Sequence, residues 1–330
     1  MLAVYFCASP GNIRRVYGGG AGEQIAALAA VYPHIIQSAA MLREHREGLR
    51  DTEVIFTTWG MPRLTPADLG LLPNLKAVFY AAGSVKGFAG PFLEAGVRVV
   101  SAWRANALPV AEFTLAHILL AGCGYFRNVR EYRRPEREGQ PYVGGGSYGE
   151  TVGLIAAGAV GRRLAALLRP YDFRVLVYDP YLSEAGAREL GVEKADLPVL
   201  FRQSLVVSNH LPLLPETRGM IGEELLRQMR EGATFINTGR GATVDEGALV
   251  RTAMARPDIN MVLDVTTVEP PPADSPLYRL PNVLLSSHIA GSKGNELYRM
   301  ADACVEAFRR YLAGEPMGEE VTLPMLQAMA

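Results

Sequence analysis

Apolar positions along the chain fall into short β-branched or aromatic runs that alternate with longer stretches rich in alanine and leucine. The short runs are typical of buried strands and the long stretches of helices. A first series of predicted strands covers residues 2–8, 53–59, 75–82 and 97–102. A second series covers residues 151–156, 173–179, 205–210, 233–238, 260–265 and 282–287. This alternation predicts an α/β protein with parallel sheets covered on both faces.

Helical patterns separate most of the predicted strands, for example at residues 22–32, 64–72, 159–171 and 245–256. Between the two series we expect one long helix over residues 105–134, followed by a polar, glycine-rich segment at 135–150. The helix and the segment together are typical of a domain crossing. The last amphipathic helix, within residues 293–316, has no strand of its own to cover. We therefore expect it to pack on the first domain.

Composition narrows the function classes. A length of 330 residues favours two domains, and an apolar content of 49% is enough to bury a large core. The net charge of −1 indicates no nucleic-acid partner. The three cysteines are far apart and show no spacing typical of a disulfide or a zinc site, so no metal is predicted. The N-terminal residues do not resemble a signal peptide, and no apolar run approaches the length of a membrane span. We expect a cytoplasmic protein without a membrane partner.

The segment TVGLIAAGAVGRR, which starts at Thr151, nearly matches the dinucleotide-binding pattern G-x-G-x-x-G in the required strand–turn–helix context. Gly158 and Gly161 hold the positions that face the pyrophosphate and the packed helix. Ala156 replaces the first glycine, at a cost of roughly 1–2 kcal/mol if that position needs a positive φ. The helix N-terminus that follows offers free N–H groups to phosphates.

Asp179 ends the next predicted strand at about the spacing expected for the carboxylate that binds the ribose 2′-OH. A carboxylate at this position repels a 2′-phosphate, which favours NAD over NADP. A solvent-facing aspartate is the alternative for this residue taken alone.

Three further residues follow predicted strands and could carry chemistry: Arg240, Glu269 and His288. An exposed turn arginine, a solvated glutamate and a single histidine are each common without a function. Together, at the carboxyl ends of parallel strands beside a nucleotide turn, they are typical of a hydride-transfer site.

These motifs, together with HLPLLPETRGMI, INTGRGATVDEGAL and LPNVLLSSHIAGS, resemble the D-isomer-specific 2-hydroxyacid dehydrogenases in order and spacing. The resemblance is dense from residue 106 to 292 and weaker over the first hundred residues. It implies a Rossmann NAD-binding domain, residues 103–292, inserted into a flavodoxin-like substrate domain, residues 1–102 and 293–330. It also implies a homodimer.

The resemblance further implies an NAD-dependent interconversion of a D-2-hydroxy acid and its 2-keto acid. His288 would be the general acid/base, Glu269 would stabilise its protonated form, and Arg240 would bind the substrate carboxylate. Backbone groups of a substrate loop would hold the other side of the carboxylate, and a further set would contact the cofactor. The substrate loop comprises Gly83, Ser84 and Val85, and the cofactor set comprises Gly158, Ala159, Val160, Gly161, Asp179, His210, Thr238 and Asp264.

Besides Ala156, two positions depart from the family pattern. Lys86 and Arg104 stand where the family usually has an aspartate and a small residue. Most such side chains are surface or hinge residues, and the sharper hypothesis is that one of them favours a substrate with a second anionic group.

Two other functions remain open for this sequence. A non-catalytic NAD(H)-sensing corepressor on the same scaffold would bind the dinucleotide without depending on His288. A methyltransferase that uses the glycine turn for S-adenosylmethionine would leave Arg240, Glu269 and His288 without a role.

Overall fold

The computed structural model describes residues 1–136 and 138–329. Its strands, in chain order, are β1 Leu2–Phe6, β2 Ala30–Val31, β3 Thr52–Thr57, β4 Ala77–Tyr80, β5 Arg98–Ser101, β6 Thr151–Ile155, β7 Arg174–Tyr178, β8 Glu193–Lys194, β9 Val206–Asn209, β10 Thr234–Asn237, β11 Asn260–Leu263, β12 Val283–Leu285 and β13 Glu320–Val321. All ten strands predicted from the apolar runs are present.

The α-helices are α1 Pro10–Tyr17, α2 Ala21–Leu28, α3 Ala39–Glu44, α4 Arg46–Leu49, α5 Pro66–Leu69, α6 Ala89–Glu94, α7 Trp103–Gly122, α8 Tyr125–Tyr132, α9 Ala159–Leu168, α10 Glu184–Leu190, α11 Leu197–Gln203, α12 Glu223–Arg227, α13 Glu246–Ala255, α14 Glu296–Leu312 and α15 Leu323–Ala328. Single 3₁₀ turns lie at Gly241–Thr243 and Pro276–Tyr278.

The chain divides into two compact units. The first comprises residues 1–107 and 292–329, and the second comprises residues 108–291. The first boundary falls inside α7, whereas the sequence places the domain boundaries at 102/103 and 292/293.

The first unit is built on one sheet with the strand order β13-β5-β4-β3-β1-β2. Its strands are parallel except β13, which pairs antiparallel with β5. Without β13 this is the 2-1-3-4-5 order of flavodoxin-like sheets. Helix α14 packs on this sheet, as predicted, and Phe308 lies edge-on at 5.1 Å from Phe56 and 5.5 Å from Phe79, measured between ring centroids.

The second unit contains a seven-stranded parallel sheet with the order β12-β11-β10-β9-β6-β7-β8. The six strands β6 to β11 have the Rossmann order 3-2-1-4-5-6, and β12 extends the sheet beyond β11. Apolar clusters cover both faces, with Ile236 in one cluster and Phe235 in the other. The strand order reverses beside β6, which is where such sheets bind ligands.

The prediction of one long helix over residues 105–134 was wrong. Two helices, α7 and α8, occupy this region and are separated at Gly124, whose φ of 75° interrupts the helical backbone. A side chain at Gly124 would also lie 2.6 Å from the backbone nitrogen of Gly144. The close approach of the glycine-rich segment therefore requires a glycine at the break.

The prediction of a helix over residues 22–32 was too long. Helix α2 ends at Leu28, and Ala30–Val31 pairs with β1 as an edge strand. Alanine and valine fit both structures locally, so the neighbouring strand decides the outcome. The short edge strands β8 and β13 were also not predicted, because two residues carry no measurable periodicity.

Within the described residues, α7 is long and apolar enough to span a membrane by length and composition alone. Half of the most apolar 18-residue stretch of α7 is buried inside the protein, as it would be in the core helix of a globular protein.

Candidate active site

The parallel register of the second unit brings several predicted site residues to one edge of the sheet. The last paired residues of adjacent strands match as Ile155 with Asn209, Asn209 with Asn237, Asn237 with Leu263, and Leu263 with Leu285. The residues that follow these strands therefore lie side by side. They are Ala156, His210, Thr238, Asp264 and Ser286.

His288 and Glu269 form a direct pair beyond this edge. The imidazole Nδ1 lies 2.7 Å from the Glu269 Oε2, and the side chains are 51% and 39% exposed. A carboxylate only accepts hydrogen bonds, so Nδ1 is assigned as the protonated nitrogen. The Nε2 atom is then the nitrogen left for a reacting group.

The loop that carries His288 is held by the buried carboxylate of Asp264. That carboxylate accepts hydrogen bonds from the Ser286 hydroxyl at 2.6 Å and from the N–H groups of Ile289 and Ala290 at 2.8 and 2.9 Å. The His288 N–H also donates to the Asp264 carbonyl at 3.0 Å. His288 adopts a φ of 55°, a left-handed conformation that the surrounding bonds stabilise.

Arg240 follows β10 and is partly buried. Burial lowers the pKa of Arg240, while the nearby Glu269 carboxylate acts to raise it. Its Nη1 donates to the Gly239 carbonyl at 2.8 Å, and among residues 1–136 and 138–329 no carboxylate forms an ion pair with it. The remaining guanidinium donors form a planar fork suited to a carboxylate.

Two close contacts join the segment after Arg240 and the start of α13 to the segment before Glu269, and neither was predicted from the sequence. A side chain at Gly241 would lie 2.0 Å from the Thr266 carbonyl carbon, so the two backbones are in direct contact. The Glu246 carboxylate then accepts the Thr267 N–H at 2.8 Å. The second glycine of the GRG sequence was the available signal for this contact.

The sequence alone did not decide whether Ala156 in the nucleotide turn has a positive φ, and the structure shows that it does. Ala156 adopts a φ of 77°, which a glycine would adopt without cost. A side chain at Gly161 would lie 2.1 Å from the Ala156 carbonyl oxygen, whereas one at Gly158 would meet nothing within 4 Å. Ala159 begins helix α9, with Val160 and Gly161 in its first turn.

Asp179 follows β7 and binds back to the turn. Its Oδ2 accepts the Ala157 N–H at 2.7 Å, and its Oδ1 accepts the Tyr181 N–H at 2.8 Å. Each carboxylate oxygen keeps a further lone pair for another donor. The position at the end of the second Rossmann strand is the one predicted.

His210 lies between two hydroxyl groups on the same edge. The Ser208 Oγ is 2.9 Å from its Nε2, and the Thr238 Oγ1 is 3.1 Å from its Nδ1. Burial lowers the pKa of His210 to about 4, so the ring is neutral at physiological pH.

The predicted substrate loop belongs to the first unit. The Ser101 hydroxyl donates to the carbonyls of Ala82 and Gly83, and a side chain at Gly83 would lie 3.2 Å from the Asn106 amide nitrogen. The side chain of Val85 is buried and that of Ser84 is partly exposed. The loop is thus fixed by backbone and side-chain contacts.

Lys86 and Arg104, the two charged residues that depart from the family pattern, each contact a residue of the first unit. The Lys86 ammonium donates to the Met329 carbonyl at 3.2 Å, and the Arg104 guanidinium lies 4.9 Å above the Trp103 ring. These contacts favour structural roles for both side chains, and the hypothesis of a second anionic group on the substrate stays a prediction.

The second unit has the features that a dinucleotide requires. Open space at Gly158, the N-terminus of α9 without a capping side chain, and Asp179 at the next strand all lie at the point where the strand order reverses. Such a helix N-terminus attracts phosphate through its free N–H groups and its dipole. These residues fit NAD.

Comparison with known proteins agrees with the fold and the motifs. Residues 118–290 match the family described as D-isomer specific 2-hydroxyacid dehydrogenase, NAD binding domain. A glyoxylate reductase of Korarchaeum cryptofilum is 37% identical over 62% of this chain and 63% of its own length. A D-3-phosphoglycerate dehydrogenase of Archaeoglobus fulgidus is 32% identical over 70% of this chain and 44% of its own length. The matches thus span about half to two thirds of these relatives.

The fold also matches a solved structure along nearly the whole chain. The NAD complexed form of a D-isomer specific 2-hydroxyacid dehydrogenase from Lactobacillus delbrueckii ssp. bulgaricus gives a TM-score of 0.77 at 20% identity, covering 98% of this chain and 100% of that chain. At this identity the likeness shows the fold alone. Because the family match extends over more than half of the 330 residues, the chain belongs to the D-isomer specific 2-hydroxyacid dehydrogenase family.

Proposed function

We propose that this protein is an NAD-dependent oxidoreductase that interconverts a D-2-hydroxy acid and its 2-keto acid. The observation that carries the proposal is the His288–Glu269 pair, in which Nδ1 faces the carboxylate and Nε2 is left for a substrate oxygen. Arg240, which is close enough to Glu269 for the carboxylate to affect its pKa, supplies a cation beside the pair. A proton carrier and a carboxylate anchor are what a 2-hydroxy acid requires.

Each of the three side chains has a separate task in this proposal. Arg240 binds the substrate carboxylate, and so places the adjacent hydroxyl or keto carbon toward His288. In oxidation the His288 Nε2 takes the hydroxyl proton, and in reduction it returns a proton to the keto oxygen. Glu269 stabilises the imidazolium formed in between. Bound NAD would accept the hydride from the hydroxyl carbon or, as NADH, return it.

We propose NAD rather than NADP as the cofactor. The Gly158 turn and the α9 N-terminus would hold the pyrophosphate, and Asp179 would accept a hydrogen bond from the ribose 2′-OH. A 2′-phosphate would bring like charge to the Asp179 carboxylate. We expect Asp179→Ala to reduce the ratio of kcat/KM for NADH to that for NADPH by about tenfold, through the loss of this repulsion.

The direct test follows NADH absorbance with a panel of 2-keto acids, including glyoxylate, hydroxypyruvate and pyruvate. We expect turnover with NADH, and a loss in kcat of roughly 10²–10⁴ in His288→Asn. Asparagine also tolerates the left-handed backbone at this position, so the variant isolates the imidazole. The exposed His34 in the first unit, changed to asparagine, is the matched control and should retain activity.

Two outcomes would contradict the proposal. Equal kcat values in wild type and His288→Asn would exclude His288 as the proton carrier. NADH binding by calorimetry without turnover on any keto acid would instead favour the NAD(H)-sensing corepressor.

We also propose that the protein forms a homodimer through the second unit and is cytoplasmic. Leu120 near the end of α7 and Tyr125 at the start of α8 are 36% and 47% exposed, which leaves apolar surface on these two helices. A second copy of this chain, as the family resemblance implies, would cover that surface.

A further inference from the structure

A fully buried polar network lies directly behind the Arg240 loop. Asn209, Asn237 and Thr243 are 0%, 1% and 0% exposed. Asn209 ends β9 and Asn237 ends β10, while Thr243 ends the 3₁₀ turn that follows Arg240. Strands of this sheet are otherwise dominated by apolar side chains, so two buried amides at adjacent strand ends need a structural reason.

The three side chains bind both flanks of Arg240. The Thr243 hydroxyl donates to the Arg240 carbonyl at 2.7 Å. On the other flank, the Asn237 Oδ1 accepts the Gly239 N–H at 3.1 Å. The backbone on either side of Arg240 is therefore held by a buried side chain.

Asn209 connects these two supports. Its Nδ2 donates to the Asn237 Oδ1 at 3.0 Å and to the Thr243 Oγ1 at 2.8 Å. Its Oδ1 accepts the Leu211 N–H at 3.2 Å, which ties the same amide to the segment after β9. The backbone donors of Gly239 and Leu211 determine the orientation of both amides.

Every hydrogen of the Asn209 amide is used, and the Thr243 hydroxyl both accepts and donates. In a site of this depth, removing one member leaves buried partners unsatisfied, which is costlier than the net value of the bonds themselves. The network therefore has one well-defined arrangement, and that arrangement specifies the backbone from which the Arg240 side chain extends.

We propose that Asn209, Asn237 and Thr243 are positioning residues that hold the Arg240 loop in the geometry for binding the substrate carboxylate. Through Asn209 the network also joins that loop to the His210 segment at the cofactor edge. This inference rests on the proposed function only for its kinetic consequence, because the ordering of the loop is independent of turnover.

The test compares Thr243→Val with two matched variants. Thr243→Ser keeps the hydroxyl, and Thr252→Val removes another fully buried threonine hydroxyl of the same unit, on α13, that has no hydrogen-bond partner. We expect Thr243→Val to raise the KM for the keto acid about tenfold while the NADH dissociation constant changes less than about twofold. Thr243→Ser should restore KM, and Thr252→Val should leave it unchanged.

Amide hydrogen exchange of residues 238–244 gives a readout that does not require activity. We expect faster exchange in this loop for Thr243→Val and wild-type exchange for Thr252→Val. Unchanged loop exchange in Thr243→Val would overturn the inference, as would a KM equal to that of the Thr252→Val control. If wild type has no turnover on any keto acid, the proposed function fails, while the exchange result still decides whether the network orders the loop.

Discussion

At the scale of single residues, the turn at Ala156 shows how one methyl group can be unfavourable without removing a site. Its φ of 77° costs an alanine about 1–2 kcal/mol, whereas glycine accepts it but loses about 0.5–1 kcal/mol of chain entropy on folding. We therefore expect Ala156→Gly to raise the free energy of unfolding by about 0.5–1 kcal/mol. Urea denaturation measures this, and a less stable variant would contradict the assigned backbone conformation.

The sequence showed that alanine replaces glycine at this position but not whether the replacement matters. The cost depends on φ, which is set by how β6, the turn and α9 meet. Residue identity alone leaves both outcomes possible.

His210 predicts a pH dependence of stability at the residue scale. Its pKa is about 4 when folded and near 6.5 when exposed, so between these values the unfolded chain binds a proton that the folded chain does not. Stability should therefore fall as pH decreases from 6.5 towards 4. His210 as a residue is only half-buried, so we reduce the expected contribution to roughly 1–2 kcal/mol.

The measurement is the free energy of unfolding of wild type and His210→Asn across this pH range. The difference between them should shrink as pH falls, because the variant lacks the titrating ring. His34→Asn, which keeps His210, serves as the control. A difference that does not change with pH would contradict the neutral state of folded His210.

At the scale of secondary-structure elements, the two glycines around the start of α9 should respond differently to the same substitution. A methyl group at Gly161 would lie 2.1 Å from the Ala156 carbonyl oxygen, so we expect Gly161→Ala to destabilise the protein by about 1–3 kcal/mol. Gly158 has open space, so Gly158→Ala should leave stability within about 0.5 kcal/mol.

NADH titration separates the two roles further. Gly158→Ala should weaken NADH binding by roughly tenfold, because its methyl group would occupy the space where the pyrophosphate approaches the backbone. A Gly158→Ala variant with wild-type affinity would argue against this turn as the phosphate site.

The elements themselves were largely predictable. Strands such as β1 and β4 are continuous apolar runs, and such runs indicate burial wherever they occur in a chain. The break between α7 and α8 was not predictable, because the approach of Gly144 to Gly124 joins residues that the helical pattern cannot relate. Edge strands β2, β8 and β13 likewise exist through their neighbours.

At the scale of the whole molecule, the proposed homodimer predicts a specific response to charge. Leu120→Glu and Tyr125→Glu would each bury a carboxylate in an apolar interface, which is unfavourable by several kcal/mol without a partner. We expect sedimentation analysis to give a dimer for wild type and a monomer for both variants. Met254→Glu, at a side chain that is 66% exposed on α13, should remain dimeric. A monomeric wild type would overturn the proposal.

The sequence by itself determined the α/β plan with parallel sheets covered on both faces, the nucleotide turn and the identities of Arg240, Glu269 and His288. These follow from local periodicity and from residue types at strand ends, which are properties of neighbouring positions. The sequence also indicated that the carboxyl ends of the strands lie at one edge of the sheet, because all strands of a parallel sheet run in the same direction.

Only the tertiary structure decided which of these groups meet. The 2.7 Å contact between His288 and Glu269 joins the segments after β12 and β11. The Asp264 carboxylate directly after β11 accepts the Ile289 N–H and so fixes the segment that carries His288. The network behind Arg240 depends on the register of β9 against β10 and on the turn that brings the Thr243 hydroxyl within hydrogen-bond distance of Asn209. Contacts between distant segments arise from packing, which no local pattern encodes.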